Sequence, residues 1–75
     1  MSSNPAPKAS PAALKAHRAV AGLSNSEICS ITGFSPETLR DWMRGRRSPR
    51  PENLVVLAAL MSCEVKDLLA TPDES

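Results

Sequence analysis

The chain has few of the residues on which small enzymes and metal-binding domains depend. Its 75 residues include one histidine, two cysteines and no tyrosine. Two thiols and one imidazole supply at most three ligands, whereas structural zinc sites use four. His17 has no nucleophile or orienting group to work with, and no glycine-rich phosphate loop is present. The composition therefore argues against an enzyme, a bound metal and a cofactor.

Long apolar runs are also missing. No stretch approaches the ~20 apolar residues of a membrane-spanning helix, and no apolar segment follows a basic N-terminal start. We therefore expect a cytoplasmic protein without a membrane partner. In that setting Cys29 and Cys63 are expected to be reduced and to fill core positions. A chain this short also leaves no room for a ligand-sensing domain, so we expect no small-molecule ligand.

Aromatic residues are scarce, and this scarcity bears on the fold class. Phe34 and Trp42 are the only two, although 41% of the chain is hydrophobic. Leu, Ile, Val, Ala and Met must fill the core, and no run shows the alternation of β-branched residues that is typical of strands. The composition predicts a single small all-α domain.

Serine, proline and glycine mark the ends of successive short helices. Ser24 and Glu27 have the spacing of a capping box, and Gly33 supplies a left-handed residue that ends that helix. Ser35 then caps the next helix, with Pro36 at its first position. Together with similar signals elsewhere, these residues predict helices at 11–21, 25–32, 36–44, 51–61 and 64–70.

The second and third of these helices are joined tightly. Only Phe34 and Ser35 separate Gly33 from Pro36, so the third helix must cross the second rather than run beside it. This is the helix-turn-helix arrangement, in which the later helix is offered to the major groove of DNA.

The same residues carry a resemblance to a known family. The positions that carry it are Leu23, Ser24, Ile28, Cys29, Gly33, Phe34, Ser35, Leu39, Trp42, Gly45, Arg46 and Pro49, followed by Leu54, Leu57, Ala58, Met61, Val65, Leu68 and Leu69. Their joint spacing resembles the Cro and phage-repressor (XRE-like) helix-turn-helix family over about residues 12–69. The resemblance implies a compact five-helix, lambda-repressor-like domain, which we place at residues 10–70. The Pro- and Ser-rich residues 1–9 are expected to be a disordered tail, and residues 71–75 to fray.

Charge is distributed unevenly although its total is only +1. Residues 40–50 contain five arginines and one aspartate, and residues 64–75 contain four acids and one lysine. Such runs can be ordinary solvated charge. The basic run, however, follows the third helix directly, where the phosphates of bound DNA would lie, and this position favours a DNA-binding function.

By the same resemblance, the third helix holds the base-reading positions. The candidates are Pro36, Glu37, Thr38, Arg40 and Asp41. Arginine can contact guanine O6 and N7, a carboxylate can accept from cytosine N4, and threonine can touch a thymine methyl group. An alternative for Glu37 and Asp41 is pairing with arginines three or four residues away on the helix surface.

Phosphate contacts are expected from a second set of residues. The set is Arg18, Asn25, Arg44, Arg46, Arg47 and Arg50. Asn25 stands where the family usually has a phosphate-binding glutamine. Arg18 matches a family arginine whose usual glutamate partner is replaced here by Met43, so we expect Arg18 to be solvated or to reach a phosphate.

The fourth helix is apolar on nearly every side. Val56 and Leu60, four residues apart, are candidates for a partner face, with Leu69 added from the fifth helix. The alternative is that the helix is central and covered on all sides. Ile31, at a position that is usually polar in the family, has no explanation at this stage.

The sequence as a whole predicts a DNA-binding transcriptional regulator, a repressor of phage, prophage or bacterial type. We expect a homodimer on double-stranded DNA, with two half-sites of an inverted repeat about 34–36 Å apart. The alternative function is a protein-interaction module on the same fold, such as the antitoxin of a toxin–antitoxin pair, with a different protein as partner.

Overall fold

The computed structural model describes residues 8–70, and the statements below concern this part of the chain. It contains four α-helices, which are α1 (Pro11–Ala21), α2 (Asn25–Thr32), α3 (Pro36–Arg44) and α4 (Pro51–Leu60). A 3₁₀ turn follows at Val65–Leu68. Residues 8–70 form no strand, only a single antiparallel bridge between Ala9 and Leu69. The all-α prediction is confirmed.

The helix ends lie where the sequence signals place them. The Ser24 hydroxyl accepts from the Glu27 N–H (3.0 Å), and the Glu27 carboxylate accepts from the Ser24 N–H (2.8 Å). Ser35 accepts from the Thr38 N–H at 3.1 Å. The bounds predicted for the first three helices are confirmed, and α4 ends one residue early, at Leu60.

The predicted fifth α-helix is wrong, because residues 65–68 form only one 3₁₀ turn. Leu69 adopts an extended conformation (φ −91°, ψ 148°), which lets its backbone pair with Ala9. The helix must therefore end at Leu68, and so short a segment is typical of the tighter 3₁₀ form.

Every helix contributes to one small core. The residues with no exposed surface are Leu14, Ile28, Leu39, Leu57 and Leu68. Trp42 is 5% exposed and packs edge-to-face on Phe34, with ring centroids 5.0 Å apart. Met43, where the family resemblance implies a glutamate, is also buried and is part of the core.

The segment before α1 is held by the backbone of the chain's other end. The Ser10 N–H donates to the Leu68 carbonyl, and the Ala70 N–H donates to the Lys8 carbonyl, both at 2.8 Å. The predicted disordered tail over residues 1–9 is therefore wrong at Lys8 and Ala9: both take part in this backbone pairing, and Ala9 also packs against the core. Residues 1–7 and 71–75, predicted to be disordered and frayed, lie outside the described residues.

Gly45 ends α3 with a left-handed conformation (φ 80°) and sits against α1. A Cβ atom added to Gly45 would lie 2.9 Å from Pro11 Cγ. We expect Gly45→Ala to lower the free energy of unfolding by about 2–4 kcal/mol, because a left-handed alanine is strained and the added methyl group crowds α1. Urea unfolding followed by circular dichroism measures this loss.

Gly33 is the matched control for this prediction. It has a similar conformation (φ 85°) and nothing within 4 Å of an added Cβ. Gly33→Ala should therefore show the conformational cost alone, about 1–2 kcal/mol. Equal losses of unfolding free energy for the two variants would mean that Pro11 moves aside at no energetic cost, so that the short distance between Gly45 and Pro11 does not affect stability.

Candidate nucleic-acid interface

The third helix packs against α1 and α2 and leaves its opposite side open. Its inward residues are Leu39, Trp42 and Met43. The predicted base-reading residues occupy the remaining positions: Pro36, Glu37 and Arg40 are exposed, and Thr38 and Asp41 are half-buried. Pro36 and Arg40 line a hollow shared with Asn25 and Cys29 of α2, whereas Thr38 lines a different one on the other flank of the helix. The five residues therefore surround the open side of α3 rather than forming one row along it.

Thr38 is fixed in place by the cap of its own helix. The Ser35 hydroxyl accepts from the Thr38 N–H and donates to Thr38 Oγ1 at 2.7 Å. Thr38 keeps its own hydroxyl proton for a further acceptor. The Thr38 side chain therefore has a fixed position at the N-terminal turn of α3.

The acidic residues of α3 do not pair with arginines. Within residues 8–70 the one ion pair is Lys66–Glu64, at 3.8 Å and with both side chains about three-quarters exposed. The alternative of surface pairing for Glu37 and Asp41 is therefore not seen. Both carboxylates remain open to other donors.

Four arginines extend the outer side of α3 into the connection to α4. We call Arg44, Arg46, Arg47 and Arg50 the arginine loop. All four are exposed, and none forms an ion pair with an acid of the described chain. Pro49 is buried beneath them and anchors the segment. Four unpaired cations within seven residues of chain repel one another at low salt, so the arginine loop favours a polyanionic partner.

A polar hollow lies between the arginine loop and the two neighbouring helices. It is lined by Thr38, Trp42, Arg47, Ser48, Arg50 and Asn53. Arg50 is the N-cap residue of α4 and makes no side-chain bond to the first N–H groups of that helix. Pro51 has no N–H, and the Asn53 N–H donates to the Arg50 carbonyl at 2.9 Å, so the start of α4 attracts anions such as phosphate mainly through the helix dipole. The charge pattern of the sequence does not indicate Asn53, which is uncharged, although it lies one turn after Arg50.

Arg18 and Asn25 contact each other rather than acting separately. Arg18 Nη1 donates to Asn25 Oδ1 at 2.5 Å, and both residues are half-buried. This bond engages one of the five N–H donors of the Arg18 guanidinium, so the phosphate contact expected of Arg18 stays a prediction. Arginine only donates, so this bond turns the amide nitrogen of Asn25 away from it, available to an external acceptor.

The residues predicted for a partner face do not lie together. Val56 and Leu60 line one groove, beside Ile31 of α2. Leu69 lines a different hollow with Lys8, Pro51 and other residues, and pairs through its backbone with Ala9.

Neither thiol is bonded, and each is half-buried. Burial raises the pKa of the Cys63 thiol, and the nearby Asp67 carboxylate raises it further. A raised pKa keeps this thiol protonated and unreactive near neutral pH.

Across residues 8–70 no cluster of three or more His, Cys, Asp or Glu residues could hold a metal ion. No helix in that range has the length and apolar character needed to cross a membrane.

Comparison with known proteins agrees with the geometry. A helix-turn-helix family profile matches residues 14–68, from α1 through the 3₁₀ turn. Searches of curated proteins and of solved structures gave no match. The family binds DNA and is typically not enzymatic. The chain belongs to the Cro and phage-repressor (XRE-like) helix-turn-helix family.

Proposed function

We propose that this protein is a transcriptional repressor that reads double-stranded DNA by placing α3 in the major groove. The observation that supports this most is the continuity between the open side of α3 and the arginine loop. One surface then offers both base-reading groups and phosphate-binding groups, as sequence-specific binding requires.

The open side of α3 carries complementary chemistry for base edges. Arg40 is suited to guanine O6 and N7, and the Glu37 and Asp41 carboxylates are suited to cytosine N4. Thr38, fixed by Ser35, presents a hydroxyl and a methyl group, and Pro36 offers an apolar contact at the helix start. These five residues are proposed to set the sequence preference.

The arginine loop and Asn25 are proposed to bind the sugar–phosphate backbone. Four arginines can neutralise several phosphates; all four are exposed, and none pairs with an acid within residues 8–70. Asn25 would donate through its amide nitrogen, with Arg18 positioning it. Such contacts fix the register of α3 but do not select a sequence.

Two copies are proposed to bind the halves of an inverted repeat, one on each of two successive major grooves. A dimer bound over a promoter prevents polymerase from binding there, and we therefore propose repression by occupancy. A bacterial, phage or prophage regulator acting in the cytoplasm fits this mode of action.

The experiment that tests this function is selection from a random duplex pool at near-physiological salt. We expect an inverted repeat to be enriched, and the affinity for the winning sequence to fall steeply with salt concentration. Failure to enrich any sequence, together with weak binding to all duplexes, would reject a sequence-specific regulator.

A second candidate function is a protein-interaction module, such as the antitoxin of a toxin–antitoxin pair. The observation that favours it is the exposed apolar groove beside Val56 and Leu60. Tight co-purification with a different protein, in the absence of selective DNA binding, would support this candidate over the regulator.

Arg40→Ala is expected to relax the sequence preference at one base pair of each half-site. Loss of a bidentate guanine contact costs about 1–3 kcal/mol of discrimination at that position. Competition among duplexes that differ at single positions measures this change.

Arg44→Ala is the matched control, because Arg44 is an exposed arginine four residues later on the same helix. It should weaken binding to all duplexes alike, as expected for a phosphate contact. If Arg40→Ala also weakens all duplexes equally, Arg40 does not read a base.

A further inference from the structure

The residues at the start of the described chain contact the arginine loop on both sides of its two central arginines. Gly45 lies so close to Pro11 that an added Cβ atom would be 2.9 Å from Pro11 Cγ. The Ser48 hydroxyl accepts from the Ala9 N–H at 3.0 Å. Gly45 and Ser48 stand immediately before and after the two central arginines in the sequence, so one contact lies on each side of this pair.

The Ala9 N–H is a donor with a fixed position. The backbone on either side of Ala9 is bonded to the segment around Leu69, and Ala9 itself packs against the core. The Ala9 N–H takes no part in the pairing with Leu69 and donates to Ser48 instead. The Ser48 hydroxyl therefore joins the arginine loop to a part of the chain that the core holds in place.

Few other bonds hold this part of the arginine loop. The Arg46 N–H donates to the Asp41 carbonyl at 2.9 Å, at the end of α3. Of the three residues that follow, Ser48 is the one that forms a hydrogen bond within residues 8–70. The four arginines of the loop are exposed and pair with no acid in that range, so their side chains add no restraint. The buried Pro49 then anchors the chain again.

We infer that Ser48 is a positioning residue, which holds Arg46 and Arg47 in the geometry that binds the DNA backbone. The inference rests on the proposed function for the role of these two arginines. Ser48 acts through its bond to Ala9 and not through a contact with DNA. A loop that is ordered before binding loses less conformational entropy when it binds, and the smaller loss appears as higher affinity.

The first test compares Ser48→Ala with Ser48→Thr in DNA binding. Alanine removes the acceptor, and we expect it to weaken binding to every duplex alike by about two- to tenfold, the range for loss of one hydrogen bond. The slope of log affinity against log salt should stay the same, because the number of arginines is unchanged. Threonine keeps the hydroxyl group and should restore the wild-type affinity. Fluorescence anisotropy titrations at several salt concentrations measure both quantities.

Removal of the donor distinguishes positioning from a direct contact with DNA. Ala9→Pro deletes the N–H that bonds to Ser48 and leaves the pairing with Leu69, which does not use that N–H. We expect Ala9→Pro to weaken binding by about the same factor as Ser48→Ala, and the double variant to bind no more weakly than either single variant. Losses that multiply in the double variant would overturn the inference, because Ser48 would then act without Ala9.

Ser30→Ala is the matched control, because Ser30 is an exposed serine on α2, outside the arginine loop. It should bind every duplex with the wild-type affinity. An equal loss of affinity in this control would show that Ser48 has no particular role.

A measurement on the free chain separates this inference from the proposed function. Nuclear magnetic relaxation of backbone ¹⁵N nuclei reports the order of each amide without DNA. We expect the order parameters of Arg46 and Arg47 to fall in Ser48→Ala, from about 0.85 toward the ~0.6 of flexible backbone, while those of α1 to α4 are unchanged. Unaltered order parameters for these two residues would reject the inference even if the wild-type chain binds DNA selectively. Reduced order in Ser48→Ala, together with a wild-type chain that selects no duplex, would instead reject the proposed function and leave Ser48 as a residue that orders the arginine loop.

Discussion

Replacement of Trp42 by alanine is expected to leave a large fraction of the molecules unfolded at 25 °C. Trp42 is 5% exposed and contacts Phe34 edge-to-face, so truncation removes both a large buried side chain and an aromatic pair. Such truncations cost about 3–5 kcal/mol. A single core in a domain this small supplies a similar total, about 3–5 kcal/mol. Thermal unfolding and denaturant titration measure the loss.

Trp42→Phe and Val20→Ala are the controls. Phenylalanine retains a ring in contact with Phe34 and should keep the domain folded, with a reduced melting temperature. Val20→Ala changes a side chain that is 85% exposed and should leave the melting temperature almost unaltered. A folded Trp42→Ala variant with the wild-type melting temperature would contradict the packing described for α3.

Conversion of three residues of the arginine loop to glutamine is expected to abolish tight DNA binding at physiological salt. The variant Arg46→Gln/Arg47→Gln/Arg50→Gln leaves α3 and its base-reading residues intact. If each arginine contacts one phosphate, the slope of log affinity against log salt becomes shallower by about 2.7. The loss should be nearly the same for every sequence, because phosphate contacts carry no sequence information.

Lys15→Gln is the control for a mere change in net charge. Lys15 is exposed on α1, and its replacement is compared with each arginine replaced singly. We expect each single arginine variant to change the salt slope by about one unit and Lys15→Gln to change it little. Identical slopes for Lys15→Gln and the arginine variants would assign the effect to overall charge rather than to the arginine loop.

Helix positions were largely predictable from the sequence because their signals are local. The side chains of Ser24 and Glu27 each accept from the other's backbone N–H, and Ser35 accepts from the Thr38 N–H with Pro36 at the first helical position, so the structure shows each of these caps. Phe34 and Ser35 span the turn between helices, which left little freedom in how α3 crosses α2. These signals involve residues only three or four positions apart, so they can be recognised in one sequence without knowledge of the fold.

The errors arise where distant parts of the chain meet. The end of the 3₁₀ turn at Leu68 is set by the pairing of Leu69 with Ala9, sixty residues away in sequence. The same pairing orders Lys8 and Ala9, whose side chains gave no reason to expect it. Backbone hydrogen bonds of this kind depend little on residue type, so composition does not reveal them.

The residue types of the candidate site could be predicted from the sequence, whereas several contacts among those residues could not. Exposure of the arginine loop follows from its charge. The bond between Arg18 and Asn25 joins side chains of two helices seven residues apart, and no local pattern indicates it. Val56 and Leu60 were grouped with Leu69 on apolar character alone, but the structure places Ile31 beside them instead. The assignment of individual residues to bases and phosphates stays a prediction.

The bridge between Ala9 and Leu69 has a consequence for the order in which the protein folds. It closes the longest loop in the described chain, and loop closure costs more entropy as the loop lengthens. We therefore expect the bridge to form late, after α1 to α4 have packed. The Ala9 N–H also donates to the Ser48 hydroxyl, at 3.0 Å, inside the segment that carries the arginine loop. We therefore expect a nascent chain that still lacks Leu69 to form α3 without this support for the adjacent basic segment, and to reach its full affinity for DNA only after Leu69 has been added.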